Sequence, residues 1–127
     1  MFKLSQKSLD RLVGVNPDLI RVVKRAIELS PIDFAVVQGV RTQDEQNALY
    51  EQGRTKPGKI VTWTKDSKHV GGKAVDLCPF PIDWEDTVKF DKIAVAMLQA
   101  AKELGVKITW GGSWVKSKDR PHFQIEE

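Results

Sequence analysis

An aspartate in the middle of a short apolar run constrains this chain more than any other feature. The run is Lys73-Ala74-Val75-Asp76-Leu77-Cys78. Its alternation predicts a strand, with Ala74, Asp76 and Cys78 on one face and Val75 and Leu77 on the other. A carboxylate in such company needs a partner, because an ionised group buried alone is costly. A metal ion, a buried arginine or a cap would each serve.

The chain has only two histidines, and both bear on that choice. His69 shortly precedes Asp76 in Ser67-Lys68-His69-Val70-Gly71-Gly72, and His122 lies far downstream in Asp119-Arg120-Pro121-His122-Phe123. Gly71-Gly72 permits a tight approach of backbone to a site. Two neutral imidazoles and one carboxylate are the ligand set of a catalytic zinc site, which keeps its fourth position open for water. A structural site would be closed by four ligands rich in cysteine, and this chain has Cys78 alone. The residues therefore predict a small hydrolase with one zinc per chain.

The remaining elements read as one α+β domain spanning 1–127. At 127 residues, 41% hydrophobic and 29% charged, the chain can bury a core without disulfides. Asn16-Pro17 opens a helix whose stripe is Leu19, Val22, Val23, Ala26, Ile27 and Leu29, and a shorter helix covers Ser8 to Val13. Phe34 to Gln38 reads as a buried strand. Thr42-Gln43-Asp44-Glu45 caps a helix that runs to Gln52 and stops at Gly53. A long polar loop, 53–68, leads into His69. Asp91 to Leu104 is the clearest helix, with Ile93, Ala94, Met97, Leu98, Ala101 and Leu104 facing inward, and Asp83-Trp84-Glu85-Asp86 reads as a helix-start cap. Val106–Trp110 and Pro121–Ile125 are the last strands. Trp63 and Trp84 are assigned to core or pocket wall, Trp110 and Trp114 to the lining of a substrate cleft, and Cys78 to a small buried hydrophobe.

Ser67-x-His69-x6-Asp76 followed by Asp119-x-x-His122 resembles the zinc D-Ala-D-Ala carboxypeptidase and dipeptidase (VanY-like) superfamily. Gln38-Gly39-Val40-Arg41-Thr42 and Trp110-Gly111-Gly112-Ser113-Trp114 narrow the likeness to the L-alanyl-D-glutamate endopeptidases that tailed bacteriophages use as endolysins. The resemblance implies an antiparallel sheet packed by helices, of the hedgehog/D,D-peptidase-like kind. It implies His69, Asp76 and His122 as zinc ligands, Asp119 as general base and Arg41 as the residue that steadies the substrate carbonyl and oxyanion. Ser67 and Gln38 are carried over as substrate-side residues. The alternatives are a D,D-carboxypeptidase or D-Ala-D-Ala dipeptidase, and a non-catalytic zinc-containing binding module.

Charge and termini add expectations about context. The net charge of +3 reads either as a solvated mixed-charge surface or as attraction to a polyanion such as nucleic acid or bacterial cell wall, and charge alone decides nothing. No nucleic-acid-binding motif is present, and the partner the resemblance implies is bacterial peptidoglycan. Met1-Phe2-Lys3-Leu4-Ser5-Gln6-Lys7 lacks the apolar core of a signal peptide, and no stretch has transmembrane length. The expected enzyme is a monomer made in the host cytoplasm, does not insert into membranes, and is released to the wall by a separate membrane-permeabilising protein.

Overall fold

The computed structural model describes residues 1–55, 57–59, 67–115 and 118–126. Trp63 and much of the loop before Ser67 lie outside them, as do Lys56, Lys65 and Lys116.

Helix α1, Gln6–Arg11, begins where Ser5 Oγ accepts from Ser8 N at 3.1 Å, so it starts and ends earlier than the expected Ser8 to Val13. Asn16 Oδ1 accepts from the amides of Asp18 and Leu19 and opens α2, Pro17–Leu29, whose Leu19, Val22, Val23, Ala26 and Ile27 are buried. Strand β1 is Phe34–Gln38. A reciprocal capping box then starts α3, Gln43–Glu51: Thr42 Oγ1 accepts from Glu45 N, and Glu45 Oε1 accepts from Thr42 N.

The aspartate-bearing run is β2, Ala74–Pro79. Helix α4, Thr87–Leu104, starts before Asp91 because Asp86 caps it through Lys89 N and Phe90 already lies on the buried face. Its inward stripe differs from expectation at Leu98, which is 44% exposed. Leu98 lies about 100° around the helix from the fully buried Met97, past the edge of the core-facing stripe. The chain ends with β3, Ile108–Trp110, a single 3₁₀ turn at Gly111–Ser113, and β4, His122–Ile125.

The strands form one antiparallel sheet in the order β1-β2-β4-β3. Alternation decides which residues serve the core and which serve the site. Val36, Val75, Leu77 and Phe123 join the stripes of α2 and α4 in one hydrophobic cluster. Asp76 points to the opposite side, and the register sets it across from Gln38 on β1 and His122 on β4. The apolar neighbours of Asp76 in sequence thus anchor the strand that presents it.

Gly72 couples the helical layer to that presentation. Its carbonyl accepts from Asn16 N at 2.8 Å, and its φ is +75°. A Cβ there would lie 2.4 Å from Gly14 O and 3.1 Å from Val15 Cα, so the close approach this glycine permits is to the α1–α2 connection. Gly71, with φ +89°, has nothing within 4 Å of an added Cβ. Gly71→Ala should therefore cost only the left-handed backbone strain, about 1–2 kcal/mol. Gly72→Ala carries the same strain plus a backbone clash, and should cost at least twice as much. Thermal melts of the two variants check this, and equal losses would refute the packing role of Gly72.

Candidate functional site

His69 occupies a turn that is tied down on every side. Its amide donates to Ser67 Oγ at 3.2 Å, and its carbonyl accepts from Gly72 N at 3.2 Å and Arg41 N at 2.9 Å. A parallel bridge between Arg41 and Val70 holds the segment leaving β1 beside the segment entering β2. Two stretches far apart in sequence are thereby zipped together at the sheet end. His122, the first residue of β4, reaches the same place through its pairing with Asp76.

Asp76 Oδ1 lies 3.2 Å from His69 Nε2 and 3.4 Å from His122 Nδ1. Their ligand atoms all fall within 4.8 Å of one another. The other nitrogen of each ring is also engaged: His69 Nδ1 is 2.9 Å from Gly39 O, and His122 Nε2 is 2.9 Å from Gln124 Oε1. A neutral imidazole has a single N–H, and a carbonyl oxygen can only accept. Were those protons donated to Gly39 and Gln124, both remaining lone pairs would face the Asp76 carboxylate. Such an arrangement needs a cation at its centre, either protons or a metal ion. The donor set of two imidazoles and one carboxylate fits zinc.

The electrostatics follow from this convergence. Burial alone would raise the Asp76 carboxyl, but hydrogen bonds and charge from His122 and His69 hold it well below the usual carboxylate range. Burial would lower His122, yet its bonds to Asp76 and Gln124 raise it above the ordinary imidazole value. Asp119 is different. Burial first, and then the negative charge of Asp76, push its carboxyl up against the pull of His122, His69 and Arg41.

The turn Asp119 to His122 fixes that carboxylate. His122 N donates to Asp119 O at 3.1 Å, and Asp119 Oδ2 lies 4.0 Å from His122 Nδ1 with the side chain 48% exposed. Asp119 N donates to Gly111 O at 3.0 Å. Only glycine fits at that neighbour, because a Cβ on Gly111 would lie 2.3 Å from Asp119 O. The half-exposed acid is thus held beside the cluster by backbone geometry.

Arg41 donates from Nη1 to Oε1 of Gln46, at 2.6 Å; Gln46 is fully buried on α3. With Gln38, Glu45, Ala48, Leu49 and Gln52, Arg41 lines a cleft of about 370 Å³. Trp114 sits against the cluster, its ring centroid 5.3 Å from that of His122. Trp110 is placed otherwise: it stacks on Phe123 at 6.5 Å, packs on the core, and donates from Nε1 to Arg120 O at 2.8 Å. Ser67 serves the His69 turn, and Gln38 Nε2 donates to Val40 O at 3.4 Å. Cys78 is buried, its thiol pushed up by that burial, and lies outside the metal-capable group among the described residues. Gly39, Gln46 and Gln124 were not foreseen. Gln124 was open to inference, since it follows His122 by two on a strand and so shares its face.

Comparison with known proteins bears on the family of the chain. A family model described as phage L-alanyl-D-glutamate peptidase matches residues 1–126. The L-alanyl-D-glutamate peptidase of Escherichia phage T5 is 41% identical over 93% of this chain and 85% of its own length. The peptidoglycan L-alanyl-D-glutamate endopeptidase CwlK of Bacillus subtilis is 34% identical over 92% of this chain and 73% of its own. Among solved structures, the L-Ala D-Glu endopeptidase ChiX of Serratia marcescens superposes with a TM-score of 0.86 and 35% identity, covering 98% of this chain and 90% of that one. The vancomycin-resistance D,D-dipeptidase VanXYg, at 20% identity and a TM-score of 0.57 over 87% of this chain and 50% of that one, shares the fold. Fold, sequence and family model agree, and the chain belongs to the phage L-alanyl-D-glutamate peptidase family.

Proposed function

We propose that this chain is an endolysin that hydrolyses the L-Ala–D-Glu bond of peptidoglycan stem peptides, with one zinc held by His69, Asp76 and His122. The carrying observation is the convergence of two imidazole nitrogens on the Asp76 carboxylate, with a second carboxylate, Asp119, 4.0 Å from one of them. When bound, zinc supplies Lewis-acid activation, bringing water to a pKa of about 7 and polarising a carbonyl.

The protein's own groups supply the rest. Asp119 takes a proton from the attacking water and returns it to the departing amine. Burial and the charge of Asp76 raise its carboxyl in the metal-free protein, a bound dication would pull it back down, and its exposure keeps it in reach of substrate. Arg41, steadied by Gln46, offers a delocalised cation to the carbonyl oxygen as it gains charge. One such donor is typically worth about 3 kcal/mol. Trp114 lies against His122 beside the cluster, Gln38 lines the Arg41 cleft, and Ser67 holds the His69 turn; Trp110 contributes by holding the turn that carries Asp119.

The catalytic unit spans 1–127, in keeping with the family match over 1–126. It acts as a monomer, is made in the host cytoplasm, and is released to the wall by a separate membrane-permeabilising protein. Among the described residues no helix is long and apolar enough to cross a membrane.

Digestion of a purified muropeptide tests the reaction. A new N-terminal D-Glu, lost on chelation and restored by zinc, is expected; free D-Ala would instead identify a D,D-peptidase, and no product a binding module. His69→Ala, Asp76→Ala and His122→Ala should each lose most zinc and nearly all activity, and full zinc in any of them by elemental analysis would refute that ligand.

Asp119→Asn should keep its zinc and lose roughly a hundredfold or more in rate. Near-wild-type turnover in that variant would move the base elsewhere. The pH dependence has a definite sign. Because the His122 proton must leave for a metal to bind, zinc affinity should fall as pH drops through its raised pKa. Chelator competition across that range checks the slope.

Arg41→Ala should retain zinc while losing kcat/KM. It should also lose about 1–2 kcal/mol of stability, since the buried Gln46 gives up a partner. Unchanged hydrolysis would exclude the role.

A further inference from the structure

His122 has one proton to place and two acceptors competing for it. Gln124 Oε1 lies 2.9 Å from Nε2, and Asp76 Oδ1 lies 3.4 Å from Nδ1. The outcome decides what the ring can do. A proton on Nε2 leaves the Nδ1 lone pair aimed into the cluster. A proton on Nδ1 is donated to Asp76, which occupies the coordinating nitrogen and the carboxylate oxygen together.

Charge alone favours the second arrangement, because an anion accepts more strongly than an amide. Geometry favours the first, because the Gln124 contact is the shorter. The strand explains the advantage. His122 and Gln124 are two apart on β4 and share a face, while Phe123 between them is fully buried and anchors the strand. Gln124 pairs with Ala74 on β2 and Thr109 on β3, which fixes its place beside His122 in the sheet.

We propose that Gln124 is a positioning residue that selects the metal-binding tautomer of His122. It acts through the imidazole and does not touch substrate. This role rests on the metal reading of the site, but the tautomer it predicts is a property of the metal-free protein. Partners of this kind, hydrogen-bonded to a ligating imidazole, typically govern metal affinity by about 10–100-fold.

The test uses ¹⁵N-labelled, metal-free chain at a pH where the imidazoles are neutral. Long-range ¹H–¹⁵N correlation should show the proton of His122 on Nε2. In Gln124→Leu it should move toward Nδ1, and zinc affinity, measured by competition with a chromogenic chelator, should weaken by about 10–100-fold. Gln124→Glu keeps an acceptor at the same reach and should restore both the Nε2 proton and affinity to within a few-fold of the parent. Gln124→Asn withdraws the acceptor by one methylene and gives the same readouts where the leucine variant does not fold. A Leu or Asn variant with parental tautomer and parental zinc affinity would overturn the assignment. Failure of the parent chain itself to take up zinc would overturn the metal reading, while the tautomer result would still judge Gln124.

Discussion

The carboxylate of Asp76 lies between two imidazoles, at 3.2 and 3.4 Å, and the rest of the structure is arranged to make that placement affordable. An anion in the middle of an apolar strand is admissible only with partners. Its neighbours Val75 and Leu77 are fully buried in the core, which fixes the strand rigidly and leaves Asp76 nowhere else to point. The same hydrophobic packing that stabilises the fold therefore aims the acid. Sheet register finishes the arrangement, because pairing Asp76 with His122 brings one imidazole with the strand.

The second imidazole arrives by a different route. His69 lies on a turn, and turns are positioned less firmly than strands. Here the turn is held by Ser67, by Gly72, by the amide of Arg41 and by the carbonyl of Gly39. These bonds do double duty. The contact between the Arg41 amide and the His69 carbonyl ties the arginine's backbone to the histidine's turn, and the bond from His69 Nδ1 to Gly39 sets the tautomer. Gly72, packed against Gly14 and Val15, links this turn to the start of α2, so the helical layer supports the site from behind.

Much of this was legible in the sequence because it depended on local rules. Asn16, Thr42 and Asp86 announced helix starts through capping chemistry, and alternation in β2 assigned Val75 and Leu77 to the core and Asp76 away from it. The three residues of the cluster were visible as a scarce set of donors. What escaped depended on distance in sequence. Leu98 fits a helical stripe when read alone, but α4 is rotated so that Met97 takes the centre. Trp110 looked like a cleft residue, whereas pairing of β3 with β4 lays it on Phe123. Gln46 is polar on a mixed-charge helix and reads as exposed; only the fold reveals it as the buried support of Arg41.

The outer partners of the two histidines are both neutral, and charge arithmetic gives that a reason. Under the proposed chemistry a zinc dication meets one carboxylate in Asp76, and Asp119 stands 4.0 Å from His122 as a second anion. Those two negative charges already balance the ion. A carboxylate behind either imidazole would add further negative charge near the site, where the low dielectric makes it felt strongly. It would oppose ionisation of water and push the Asp119 carboxyl higher still, as Asp76 already does. A backbone carbonyl at Gly39 and an amide at Gln124 fix the tautomers by hydrogen bonding without that penalty. Arg41, which already faces Glu45 and Asp119, then meets no further anion behind the imidazoles as it serves the oxygen that gains charge during hydrolysis.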